Sequence, residues 1–248
     1  MRPILFHLGP LPIYTFGFLI ALGVFISLQW MAQRARKMGF PPGDTAFDMV
    51  FITVVVGFLS AQFYYVLQNF DGYRDQPLKI FALWEGGLIF YGGVFGSFLG
   101  LWGFLRWKKI PFSKGLDFIL PYVALTHAFG RLGCFFNGCC YGKACDLPWA
   151  TAVPGVAGKV HPTQLYEAFL DLMLFLFLNN RYPKKRFDGE VAALHFAFYA
   201  MIRFTVEIFR AEPIFAAGLT RNQWISLAVF IGAAFFYFKN TSKLKQSA

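Results

Sequence analysis

The sequence predicts an all-α integral membrane protein, a single transmembrane domain over residues 1–248 with seven helices, its N-terminus outside and its C-terminus cytoplasmic. Three observations predict it. First, 57% of the 248 residues are hydrophobic and 15% are charged, whereas soluble domains carry about 25% charged residues. Second, the apolar residues gather in stretches close to the ~20 helical residues that a bilayer core requires. Third, Lys and Arg alternate from loop to loop as short cytoplasmic and external loops demand. The same composition excludes a disordered chain, a coiled coil and a nucleic-acid-binding arm. The formal charge of +10 takes its meaning from where the cations sit, so no nucleic-acid partner is expected.

The seven stretches are 13–32, 46–67, 88–105, 116–136, 165–178, 189–209 and 224–238. The first is too long for a signal h-region, lacks a small-x-small site after it and ends in the basic run Arg34, Arg36, Lys37, so it reads as a retained helix. The second is mainly apolar, with Asp48 and Gln62 inside it. In the third, Gly92, Gly96 and Gly100 repeat every four residues, a spacing that lets helix backbones approach closely in lipid. The pairs Gly86-Gly87 and Gly92-Gly93 are denser than packing needs. They predict irregular backbone around a site, tolerated only where protein or water covers it. The fourth stretch carries Arg131 and runs into a cysteine cluster. The fifth and seventh are short, so they extend or sit tilted. The sixth carries Arg203 and Glu207. None alternates polar and apolar residues as a membrane β-strand would.

Loop charges support the count. One alternate set of loops holds 14 Lys and Arg, the other holds 7, and the remaining two, Arg131 and Arg203, lie within spans. Seven helices with an outside N-terminus satisfy the positive-inside rule at every loop, and six or eight would break it.

A charge at membrane depth costs several kcal/mol unless paired, which makes it a functional candidate. Arg131 has no acid three or four residues away, so it needs a cross-helix partner or an anionic ligand. Arg203 and Glu207 share one helix face, as a self-neutralising pair or as part of a site. Tyr199 lies on that face too. Glu85 stands where the third span begins, either interfacial or functional. His161 opens His161-Pro162-Thr163-Gln164-Leu165-Tyr166-Glu167, which reads as a helix start capped by Thr163 or as a polar site. Cys134, Cys139, Cys140 and Cys145 fall within twelve residues. The spacing lacks paired Cys-x2-Cys knuckles, so no metal is expected. An external disulfide and plain packing both stay open, and no adjacent histidine marks a nucleophile.

These motifs resemble the bacterial prolipoprotein diacylglyceryl transferases along nearly the whole chain. The resemblance rests on Gly130-Arg131-Leu132-Gly133-x-Phe135-x-Asn137-Gly138-x-x-x-Gly142, on Glu85-Gly86-Gly87-Leu88-x-x-x-Gly92-Gly93, on His161-Pro162-x-Gln164-Leu165-Tyr166-Glu167, and on Tyr199-x-x-x-Arg203-x-x-x-Glu207-x-x-Arg210. It implies an enzyme of the bacterial inner membrane that moves the diacylglyceryl group of phosphatidylglycerol to the lipobox cysteine of a preprolipoprotein, forming a thioether without a cofactor. The implied partners are phosphatidylglycerol, preprolipoprotein signal peptides and membrane lipids. Arg131 and Arg203 would grip the phosphate, because a guanidinium stays charged and binds it bidentately. Glu207 and Glu85 would orient them. Gly86, Gly87, Gly92, Gly93, Asn137, Gly142, His161, Gln164 and Tyr199 would shape the substrate site. The chain departs from the family at Tyr91, where a histidine is expected, and at Cys134 and Cys139, where an asparagine and a glutamate are expected. It departs again at Phe16 and Gln62, in place of a tyrosine and an arginine. A phenol at Tyr91 is a poor general base, so either it donates a hydrogen bond while another group takes the thiol proton, or thiol activation rests on the arginine field alone. A paralogue with another acceptor, or a lipid transporter, would use the same buried charges. A retinal receptor is excluded, since no lysine lies within 224–238.

Overall fold

The computed structural model describes residues 1–9, 11–41, 44–73 and 89–246. Of the described residues, 71% are helical. Helices α1 (Thr15–Met38), α2 (Thr45–Gln68), the short α3 (Phe70–Tyr73), α4 (Phe90–Trp107), α5 (Phe112–Asn137), α6 (Thr163–Arg181), α7 (Glu190–Ile208) and α8 (Arg221–Gln246) follow one another. Among the described residues there are three two-stranded antiparallel hairpins: β1 (Ile4–Leu8) with β2 (Leu11–Tyr14) before α1, β3 (Thr151–Ala152) with β4 (Lys159–Val160) between α5 and α6, and β5 (Ile214–Ala216) with β6 (Leu219–Thr220) between α7 and α8. Among the described residues, α1, α2, α5, α7 and α8 are long and apolar enough to cross a membrane. Helix α6 carries Glu167, Asp171 and Arg181 and falls outside that group.

Two expectations are corrected here. Helix α1 begins at Thr15, because residues 4–14 form the first hairpin. Helix α6 has Pro162 at its N-cap with no side-chain cap bond; the Thr163 hydroxyl donates instead to the Cys140 carbonyl at 2.8 Å. The two short stretches do extend, to 19 residues in α6 and 26 in α8.

The chain divides into two compact units, Met1–Ser27 with Leu116–Ala248, and Leu28–Gly115. In the second unit α4 lies on α2 through small residues. A Cβ added at Gly100 would stand 2.9 Å from Val56 Cβ, and one at Gly92 would stand 2.7 Å from Tyr64 Cβ. A Cβ at Gly96 would overlap the Ser60 side chain. Ser97 Oγ donates to the Thr53 carbonyl at 3.2 Å. Such close backbones suit helices in lipid, where dispersion rather than hydrophobic burial drives association. Gly92 and Gly93 are thus regular helix in α4, not irregular backbone.

The first unit gathers the start of α1 with α5, α6, α7 and α8. Phe118, Tyr122, Phe175 and Tyr182 form an aromatic chain with ring centroids 6.0–6.1 Å apart. Asp117, fully buried, accepts hydrogen bonds from the backbone N–H groups of Gly189 (2.8 Å) and Ala192 (2.9 Å) and from Lys185 Nζ (2.8 Å). It satisfies orphan N–H groups at the start of α7 from another helix. Ile225, Ile231, Phe235 and Phe238 leave α8 with a broad exposed apolar surface, as a lipid-facing helix has.

Candidate functional site

Helices α5, α6 and α7 bring the ionisable residues of the first unit together. Arg131 Nη2 donates to Glu167 Oε1 at 2.9 Å. Arg203 Nη1 stands 3.5 Å from Glu167 Oε2, and its Nη2 stands 3.0 Å from Glu207 Oε2. Arg210 Nε lies 3.5 Å from Glu207 Oε2, and its Nη2 donates to the exposed Glu212 at 3.1 Å. Arg131 and Arg203 therefore share one carboxylate, Glu167, which is 1% exposed. Glu207, equally buried, also accepts from Thr220 Oγ1 (3.0 Å) and Asn222 Nδ2 (2.7 Å).

Three guanidiniums face the two buried carboxylates Glu167 and Glu207, and the exposed Glu212 supplies a third carboxylate at Arg210. Arg131 Nε, Arg203 Nη1 and Arg210 Nε are buried without a hydrogen-bond partner, as is Gln164 Oε1. Buried donors are normally satisfied. Guanidinium N–H groups that stand near carboxylates without a completed hydrogen bond, Arg131 Nε above all, fit a bound anion, and phosphate oxygens suit their geometry.

A second layer sits one helical turn away. His127, four residues before Arg131, meets Asp171 through Nδ1 at 2.7 Å. Asp171, four residues after Glu167, is fully buried. Tyr199 packs edge-on against His127 (centroids 5.4 Å apart) and stacks on His195 (6.1 Å). His127, Asp171 and His195 were absent from the sequence-derived site, and so was the bridging role of Glu167. Their signal was present as i, i+4 spacing from Arg131, Glu167 and Tyr199.

The loop from α5 to α6 is held by buried polar side chains. Gly142 N donates to the His161 carbonyl at 2.9 Å and Gly142 bridges to Arg210. A Cβ at Gly142 would meet Thr163 Cγ2 at 2.8 Å and His161 Cβ at 2.9 Å, so only glycine fits. His161 Nδ1 lies 3.2 Å from the Tyr166 hydroxyl, which also accepts from Trp149 Nε1 at 2.8 Å. Gln164 Nε2 donates to the Cys139 carbonyl at 2.5 Å. Asn137, exposed, closes α5, and the Cys139 thiol donates to the Cys134 carbonyl at 3.7 Å. Cys140 adopts φ +63°, a left-handed conformation that costs a non-glycine residue about 1–3 kcal/mol.

The sulfur atoms of Cys134, Cys139 and Cys140 lie within 4.8 Å of one another, and all four cysteines are free. Accepting a hydrogen bond from Cys134 pulls the Cys140 thiol down to about 5, against the opposing effect of burial and with help from the Arg131 and Arg210 guanidiniums. Burial and the nearby Cys140 thiolate push Cys139 upward.

Of the residues predicted from sequence, the structure brings Arg131, Arg203, Glu207, Asn137, Gly142, His161, Gln164 and Tyr199 into one unit. Tyr91, Gly92 and Gly93 belong to α4 in the other unit, with Tyr91 73% exposed. Glu85, Gly86 and Gly87 lie outside the described residues.

Residues 3–239 match the family model of the prolipoprotein diacylglyceryl transferases. A phosphatidylglycerol–prolipoprotein diacylglyceryl transferase of Finegoldia magna is 31% identical over 248 residues, covering 100% of this chain and 99% of its own. Its namesake in Geobacter sulfurreducens is 37% identical over 240 residues, covering 92% and 91%. That of Bordetella avium is 36% identical over 242 residues, covering 93% and 91%. A match along almost the full chain shows that the chain belongs to the prolipoprotein diacylglyceryl transferase family.

Proposed function

We propose that this protein transfers the diacylglyceryl group of phosphatidylglycerol to the cysteine thiol of prolipoproteins, as the names of its relatives describe for them. It would do so as a seven-span protein of the bacterial inner membrane, N-terminus outside. The observation that carries the reading is the Arg131–Glu167–Arg203–Glu207–Arg210 network with its unpartnered donors.

The chemistry follows from the charges. The acceptor sulfur attacks the glyceryl carbon next to the phosphate. The carbon–oxygen bond breaks, and its electron pair leaves on glycerol phosphate. Negative charge grows on that phosphate, so fixed guanidiniums lower the barrier; losing one such donor costs about 10²–10³ in rate elsewhere. Glu167 and Glu207 hold the arginines in place before substrate arrives. Tyr199 and His127 form the wall beside Arg131 and Arg203 and limit how the headgroup lies. Gly142, pressed between His161 and Phe209, lets the α5–α6 loop approach the end of α7.

Transfer of labelled diacylglyceryl from phosphatidylglycerol to a cysteine-containing lipobox peptide in membranes tests the proposal. Arg131→Ala and Arg203→Ala are expected to lose about 10²-fold or more. Full activity in both variants would overturn the roles assigned. Headgroup movement without thioether product would favour a transporter.

A further inference from the structure

The family's histidine is replaced by Tyr91, yet the acceptor thiol must still become a thiolate to react. The cysteine cluster supplies a different route. We infer that Cys134, Cys139 and Cys140 form a binding site for a thiophilic divalent cation, zinc, whose fourth position takes the sulfur of the acceptor cysteine. This inference rests on the transferase reading above.

Geometry carries it. Three sulfurs lie within 4.8 Å of one another, and a tetrahedral zinc with bonds of ~2.3 Å needs them about 3.8 Å apart. Among the described residues, no fourth His, Cys, Asp or Glu joins the group, and Cys145 lies outside it. Structural zinc sites close with four protein ligands, whereas reactive ones keep three and an open position. The ligand backbone is fixed in advance. Gln164 and Thr163, each 1% exposed, hold the Cys139 and Cys140 carbonyls. Gly138 in the left-handed region (φ +73°) and the bond from Cys139 N to the Cys134 carbonyl (3.2 Å) turn the chain so that residues 139 and 140 face back toward Cys134. The motif escapes a search for paired knuckles because one ligand comes from the helix end and two are adjacent.

Charge fits as well. Three thiolates and one divalent cation sum to a single negative charge. Arg131, three residues before Cys134 on α5, and Arg210 both act on the cluster. The acceptor cysteine would lose its proton to solvent as its sulfur binds zinc, since coordination deprotonates a thiol. That sulfur then forms the bond to the glyceryl carbon while the carbon–oxygen bond breaks and glycerol phosphate leaves. The neutral thioether is a weak ligand and yields its position to water. Thiolate and departing phosphate would thus both lie beside Arg131.

The test uses the full-length protein in detergent. Purified without chelator, it should carry about one zinc per chain. Cys134→Ser and Cys140→Ser should bring the zinc content near zero, and Cys145→Ser should leave it unchanged. Cobalt substitution of the unmutated protein should give thiolate-to-metal charge-transfer absorption. A lipobox peptide with cysteine should intensify that absorption, and its serine analogue should not. No zinc, no cobalt spectrum, or a disulfide joining two of the three thiols would overturn the inference. A cobalt spectrum indifferent to the cysteine peptide would overturn the role in acceptor binding. Full thioether formation by metal-stripped protein would overturn the inference and leave the transferase standing. Protein whose cobalt-substituted form shifts its spectrum with the peptide, yet whose zinc-loaded form makes no thioether from phosphatidylglycerol, would instead refute the proposed transferase.

Discussion

Glu167 decides the arginine cluster at the level of single residues. It neutralises Arg131 from one side and Arg203 from the other. Removing one partner of a buried ion pair typically costs about 3–5 kcal/mol, because the remaining charge stays buried. Glu167→Gln should therefore lower the unfolding temperature in detergent more than Arg210→Gln, whose other partner is the exposed Glu212. Equal losses would contradict the shared role. Arg131→Lys keeps the charge but loses the planar fork that fits phosphate. It should retain much of the stability while losing activity, a split that thermal melts and transfer assays resolve together. Arg131 was legible in the sequence as a buried charge in want of a partner. Which acid would serve was not, because Glu167 is 36 residues away in sequence.

Two helix contacts carry predictions at the element scale. The α2–α4 contact depends on glycine at positions that a larger residue would fill. Gly96→Leu should destabilise the protein by at least about 1–3 kcal/mol through overpacking. Gly103→Ala, where an added Cβ meets nothing within 4 Å, should be neutral or stabilising by roughly 0.5–1 kcal/mol. Melting of both variants checks the contrast, and the reverse order would refute it. The second contact is Asp117 at the start of α7. Burial alone would pull the Lys185 ammonium down, but its hydrogen bonds to Asp117 and Asp188 outweigh burial and raise it above 10.5. A group raised in the folded state contributes stability fully below its unfolded value and loses it as pH climbs through the folded one. Melting temperature should thus not decline on account of Lys185 until pH exceeds 10.5. A decline at mildly alkaline pH that Lys185→Arg removes would contradict this. The four-residue glycine repeat made the α2–α4 contact readable in advance. The Asp117 cap joins residues 72 and 75 apart, so no local pattern announces it.

Topology is the prediction that belongs to the whole molecule. A reporter active only in the cytoplasm, fused after α8, should be active, and one active only outside should be silent. The opposite pattern would overturn the proposed orientation. Composition and periodicity alone determined that this chain is helical and membrane-embedded, since a bilayer admits long apolar segments only as helices that satisfy their own backbone. The sequence also named Arg131, Arg203 and Glu207, because each is conspicuous within an apolar run, but not the buried Asp117 and Asp171. It did not place the hairpin of residues 4–14, which looks apolar enough to begin α1. Nor did it show that Arg131 and Arg203 meet on one carboxylate, or that three thiols converge beside them. Local spacing reports only which residues share a face of one helix. Partners across helices are decided by packing, which brings together side chains that the chain itself keeps far apart.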